Sequence, residues 1–187
     1  YSLNNPGDVA VNESGGLVYV SDLYHGRVQI YDASDGGYVA SISGLNCPGG
    51  VHVAPSGYVY VADSCDNVVR VYNGSLALVA TMGSPGVAGA DNAHFDWPED
   101  VAVDGLGTIY VSDYGNNRVQ VFNSARAYVR TLGITGEWGG DFAHLGGPDG
   151  LVVDNANRLY VADRGNDRIQ VFDSSGAYLT TIGGSWG

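Results

Sequence analysis

His94 and His144 each stand four residues before a proline, in "NAHFDWP" and "FAHLGGP". Acids lie close to both: Asp91, Asp96, Glu99 and Asp100 near the first, Glu137, Asp141 and Asp149 near the second. Neutral imidazoles are ligands for Zn²⁺ and grouped carboxylates suit Ca²⁺. The spacing therefore offers two metal chemistries, a His94/His144 pair and a structural Ca²⁺ among Asp-rich turns. Ser2 and Gly44 hold the matching positions nearer the N-terminus, so no ring of His is expected. No Ser-His-Asp spacing, P-loop, dinucleotide fingerprint or HExxH sequence occurs, and no catalytic residue is singled out.

A second polar set recurs. Asp22, Asp63, Asp113 and Asp163 close four copies of a Tyr-Val-Ser/Ala-Asp tetrapeptide, and Arg27, Arg118 and Arg168 follow three of them by five residues. A catalytic group is seldom needed four times. The expectation is that each Asp accepts backbone N–H bonds in its turn and pairs with the Arg, tying repeated units together. The second copy departs, with Val68 where Arg is expected and Arg70 where Gln should be.

The same copy holds both cysteines. If Pro55, Ser56 and Gly57 form a hairpin loop, Ala54 faces Tyr58 and, in the same register, Cys47 faces Cys65. That separation across paired strands suits a disulfide. A bridge closing so short a loop stabilises by about 3 kcal/mol in the chain-entropy account. It points to an oxidising, extracellular setting. Two sequons, Asn12-Glu13-Ser14 and Asn73-Gly74-Ser75, fall in expected turns and make Asn12 and Asn73 glycosylation candidates.

The elements that must position these groups are short strands. The chain has 187 residues, 44% hydrophobic and 15% charged, enough for one domain with a sizeable core. Its net charge of -12 argues against nucleic acid and anionic membrane surfaces as partners. No apolar run approaches the ~20 residues of a spanning helix, so membrane insertion is not expected. The opening "YSLNNPGDVA" has neither a basic nor an apolar leader region, so a targeting signal is expected to be removed or to lie outside this segment.

With 29 Gly and 6 Pro between β-branched runs, the chain reads as all-β. The tetrapeptides begin at Tyr19, Tyr60, Tyr110 and Tyr160, led by Pro6, Pro48, Pro98 and Pro148. In the third unit, strands are expected at 100–104, 108–113, 118–122 and 127–133. The second is apolar at consecutive positions, Ile109, Tyr110 and Val111, which suits burial on both faces. One four-stranded sheet cannot bury two faces alone. Sheets stacked around an axis can, so a β-propeller is the economical architecture.

The pattern Pro-x-Asp/Gly-Val/Leu, then Leu/Ile/Val-Tyr-Val-Ser/Ala-Asp, then Asn/Asp-Arg-Val/Ile-Gln-Val-Phe resembles the NHL repeat over essentially the whole chain. The resemblance implies one propeller domain, 1–187, with blades near 3–44, 45–83, 95–133 and 145–184. Propellers of that family usually have six blades. Four here imply a complete small ring, part of a larger ring, or a subunit whose terminal blades pair with other subunits.

Linkers from Ile42 to Pro48, Met82 to Pro98 and Leu132 to Pro148 run 6, 16 and 16 residues, and the two chain ends joined between copies would make one of intermediate length. Bare terminal blades would expose large apolar faces. Contact between first and last blades of different copies is heterologous, closing a ring or growing a filament. The expected function is a secreted, non-enzymatic structural or adhesive scaffold, binding itself and other extracellular proteins or glycans. Some propellers resembling this one are Zn²⁺- or Ca²⁺-dependent enzymes, such as peptide-amidating lyases or lactonases, which makes that enzyme class one alternative. A ligand-sensing ectodomain of a larger receptor is the other.

Overall fold

A computed structural model of the chain describes residues 2–12 and 14–184. Among these, sixteen strands form four antiparallel four-stranded sheets, each in chain order. The first holds β1 (Pro6–Asn12), β2 (Leu17–Asp22), β3 (Arg27–Asp32) and β4 (Tyr38–Ser43). The second holds β5 (Pro48–Val53), β6 (Val59–Asp63), β7 (Val68–Tyr72) and β8 (Leu78–Met82). The third holds β9 (Pro98–Val103), β10 (Ile109–Asp113), β11 (Arg118–Phe122) and β12 (Tyr128–Leu132). The fourth holds β13 (Pro148–Val153), β14 (Leu159–Asp163), β15 (Arg168–Phe172) and β16 (Tyr178–Gly183).

The sheets are the blades of a four-blade β-propeller. β1 packs on β5, β5 on β9 and β9 on β13, which sets the first strands nearest the axis. The apolar residues fill the spaces between sheets. Tyr19, Val28, Ile30 and Ile42 of blade 1 meet Val51, Val59, Val61 and Tyr72 of blade 2. The same positions form the core between blades 2 and 3, and again between blades 3 and 4. Consecutive apolar residues in β10 are all buried because both faces of an inner blade are covered.

First strands begin earlier than sequence patterning suggests, at the proline itself. Proline has no N–H to give a ladder, so it fits the first position of a strand. It pairs with the Asp that ends strand two, and the register then shifts across a bulge before the apolar run, in every blade. Each second strand leads into a single 3-10 turn closed by a left-handed residue: Gly26, Asn67, Asn117 and Asp167.

The two outer flanks are bare. Val9 and Val11 on the leading face of blade 1 are 59% and 54% exposed, whereas Val51 and Val101, which hold the position of Val9 in blades 2 and 3, are 3% and 1% exposed. On the trailing face of blade 4, Val152, Ile169 and Ile182 are exposed where Ala102, Val119 and Leu132 of blade 3 are buried.

Candidate functional site

The repeated polar residues form a clamp on the linker that enters each blade. In blade 3, Asp113 accepts the backbone N–H of Asp96 at 2.7 Å and the Arg118 Nε–H at 2.7 Å. Arg118 then donates to the carbonyls of Ala90 and Asp91, both at 2.7 Å, and Gln120 donates to the carbonyl of His94 at 2.9 Å. Blade 4 repeats this with Asp163, Arg168 and Gln170 on Gly140, Asp141, His144 and Gly146. In blade 1, Asp22 accepts from the Asn4 amide and Arg27 donates to the Ser2 carbonyl. The backbone N–H that each Asp accepts thus comes from the linker rather than from its own turn, which contributes side-chain donors such as Asn116, and the ion pair stays inside one blade.

Burial sets the electrostatics of these pairs. It pushes the Asp113 carboxyl up, while bonds from the Asp96 amide, Asn116 and Arg118 pull the other way. For Asp22 burial also acts upward, but bonds from the Asn4 amide, Gln29, Arg27 and His25 outweigh it and hold the carboxyl well below the usual carboxylate range.

Blade 2 keeps the ion pair by a different route. Arg70 stands two residues beyond Val68 on the same strand face, and its Nε reaches Asp63 at 2.8 Å while its far nitrogen meets Asp66. It donates to no linker carbonyl among the contacts described. Here a disulfide fastens the linker: Cys47 is bonded to Cys65 with Cα atoms 5.2 Å apart. The hairpin register is as expected, His52 facing Tyr60 and Val53 facing Val59. The bulge after Pro48 and the turn Ser64–Asp66 carry the two cysteines just past the ladder.

His94 and His144 are each held in their own loop. His94 Nδ1 bonds Asp91 at 2.8 Å and its Nε2 bonds Ser84 at 3.2 Å. His144 Nδ1 bonds Asp141 at 2.7 Å, which raises the imidazole above its usual range, with Glu137 3.5 Å from Nε2. Among the described residues, no three His, Cys, Asp or Glu side chains are grouped closely enough to hold a metal ion. Both sequon asparagines use their side-chain oxygen locally, Asn12 for Ser14 and Gly15, and Asn73 for Ser75 and Ala77. Glu13 lies outside the described residues.

The residues that join blades were not singled out from sequence. Asp8 Oδ2 accepts the Val51 amide of blade 2, and Asp100 Oδ2 accepts the Leu151 amide of blade 4. Between these, Gly50 leaves room that a Cβ would fill, because it would collide with Asp100 Oδ1. Ser21 and Ser112 accept the amides of Asp8 and Asp100, whereas the Gly blades carry Ala62 and Ala162. The signal was present as a two-blade alternation, Asp with Ser and then Gly with Ala. A second joint uses the left-handed residues: Asn67 accepts the Trp97 amide and Asn117 accepts the Gly147 amide, each from the next blade.

Around the axis, Gly7, Asp8, Glu99, Asp100 and Asp149 line an acidic depression of about 260 Å³. Burial, with Asp8 and Asp149 nearby, pushes the Asp100 carboxyl up to about 7 against the Leu151 and Val101 amides. Folding thus favours its protonated form, a contribution complete below the ordinary carboxylate range and lost as pH rises through about 7. The urea midpoint should be higher at about pH 5 than at about pH 8, and Asp100→Asn should shrink that difference. An unchanged difference would assign the dependence to other groups.

The family model described as "NHL repeat" matches residues 3–31, 95–122 and 145–172. Those segments are the ends of the entering linkers and the first three strands of blades 1, 3 and 4. The chain is a β-propeller that carries three NHL repeats. No curated protein sequence is significantly similar to this NHL propeller. Among solved structures, hydrazine synthase of Kuenenia stuttgartiensis superposes with a TM-score of 0.72 at 19% identity, over 97% of this chain and 49% of that one. A catalytically inactive virginiamycin B lyase of Staphylococcus aureus, with quinupristin, gives 0.71 at 15% identity, over 97% and 58%. A Bacteroides caccae protein of unknown function gives 0.69 at 12% identity, over 97% and 63%. The NHL propeller therefore spans about half to two thirds of the length of these structures, and at such identities the likeness is one of fold.

Proposed function

We propose that this NHL propeller is a non-enzymatic extracellular scaffold that works by association through its two bare flanks, with further copies of itself and with other extracellular proteins. The observation carrying this reading is the exposure of Val9 and Val11 on one flank and of Val152, Ile169 and Ile182 on the other, at positions that inner blades bury. Paired apolar faces of this kind are what interfaces cover. The repeated Asp, Arg and Gln side chains support it from the other direction, since their hydrogen bonds are used in holding linkers. The disulfide supports an oxidising compartment.

Sedimentation velocity over a range of protein concentrations tests the association. The mean mass should grow with concentration; a monomer throughout the range would overturn the reading. The lyase alternative draws on the likeness in fold to virginiamycin B lyase. It requires bound Zn²⁺ or Ca²⁺ in elemental analysis and loss of activity in His94→Ala, neither of which the scaffold needs.

A further inference from the structure

We infer that blade 4 of one copy receives blade 1 of a second copy head to tail, in the register by which blade 2 receives blade 3. This rests on the association reading and specifies its geometry.

Three features of the flanks fit one another. The first is the Asp/Gly alternation, which runs Asp8, Gly50, Asp100, Gly150. At the 2-to-3 joint, Gly50 lies open for Asp100. Gly150 presents the same opening on blade 4, where an added Cβ would have only Ala162 Cβ within reach, at 4.0 Å. The arriving Asp8 is the matching residue, and its partner Ser21 already holds its amide at 2.7 Å as Ser112 holds that of Asp100.

The second is the left-handed pair. Trp97 has φ of 54° and gives its amide to Asn67, and Gly147 has φ of 58° and gives its amide to Asn117. Asn5 also stands before a blade-leading proline, with φ of 57°, and Asp167 on blade 4 has φ of 52° and a side-chain acceptor at the place of Asn67. A side chain in this backbone region is uncommon, so blade 1 carries its half of the joint already formed. At the 1-to-2 boundary neither half exists, since Gly26 lacks a side chain and Cys47 is not left-handed.

The third is the apolar plug. Phe95 and Leu145, each three residues before a blade-leading proline, are buried against the preceding blade, beside Val69 and Met82 or Val119 and Leu132. Leu3 holds the same place before Pro6 and is exposed. On blade 4, a depression of about 620 Å³ is lined by Asp167, Ile169, Ile182 and Gly183, the counterparts of the groups that receive Phe95. Leu3 seated there also brings Val9 and Val11 over Val152. Each copy has one socket and one plug, so the contact is heterologous.

The test uses two variants, each blocking one end, in sedimentation velocity with circular dichroism as the check on folding. Gly150→Val fills the socket, its Cβ meeting its own chain only at an ordinary contact with Ala162, and Leu3→Glu spoils the plug on an exposed residue. Each alone should weaken self-association roughly 10- to 100-fold. An equimolar mixture should restore wild-type affinity and stop at the heterodimer, because it joins one intact socket to one intact plug. Gly150→Val associating like wild type would overturn this register while leaving the association reading intact. Either variant self-associating alone as tightly as the mixture would show a symmetric contact instead. A wild-type monomer at all concentrations would overturn both, and restoration only by a longer chain bearing further blades would make that chain the occupant.

Discussion

Replacing Arg118 with Met should destabilise the propeller by about 3–5 kcal/mol, because the substitution strands the charge of Asp113 inside the protein. The Arg118 side chain is 1% exposed and that of Asp113 is fully buried. Besides the ion pair, Arg118 donates to the carbonyls of Ala90, Asp91 and His94; without it Ala90 loses that bond outright, while Asp91 and His94 keep only those from Gln120. The penalty should depend on pH. Burial already raises the Asp113 carboxyl, and without Arg118 it must rise further. The variant's stability is therefore largest when that group is protonated and falls as pH rises through its raised value, so the deficit is smaller in mild acid than above neutrality. Arg27→Met is the internal control: Asp22 is also buried, but the Arg27 side chain is 26% exposed and Asp22 keeps bonds from the Asn4 amide, His25 and Gln29, so the loss should be smaller than for Arg118→Met. Urea titrations of both variants at two pH values measure the contrast. Equal small losses would mean that the clamp contributes little beyond surface pairing.

Much of the fold was legible because its determinants are periodic. A strand shows its burial in a run of three or more residues, as Ile109, Tyr110 and Val111 do, and the prolines fix where each sheet starts. Cys47 and Cys65 could be paired because antiparallel register, counted from the hairpin loop, sets them opposite each other, and the bulge after Pro48 shifts that register by only one residue. The linkers were not legible in the same way. Their path is fixed by backbone carbonyls of residues such as Ala90 and Gly140, and a carbonyl leaves no mark on residue type. The role of Arg70 was hidden for a related reason. Residue number placed it out of pattern, yet side chains two apart on a strand share a face, so the guanidinium reaches the same carboxylate. The interblade joints were concealed by their economy. Each depends on one atom group at Asp8, Gly50 or Asn67, and only the alternation across blades shows that these positions are coupled.

Removing the disulfide should reveal why blade 2 alone needs one. Its linker is the short one, and Arg70 turns to Asp63 and Asp66 instead of gripping linker carbonyls as Arg118 and Arg168 do. What remains without the bridge is the pair of amides from Asn46 and Cys47 on Asp63, at 2.8 and 3.0 Å, and the Ser64 amide on the Cys47 carbonyl, with a longer side-chain bond from Asn46 to Asp66 at 3.3 Å. Cys47→Ser with Cys65→Ser should therefore still fold, but with a loss of about 3 kcal/mol from the entropy of an opened loop. In a chain of this size that corresponds to a melting temperature lower by roughly 6–12 °C. The loss should also be local before it is global: amide exchange at Asn46 should quicken more than exchange at Val59 or Val61, which lie in the blade core. Uniform acceleration would place the bridge's effect in the unfolded chain alone, whereas exchange confined to the linker would show that the covalent bond stands in for the missing arginine grip. A melting temperature unchanged by the double substitution would mean that the three amide bonds suffice and that the bridge is not a structural requirement of the blade.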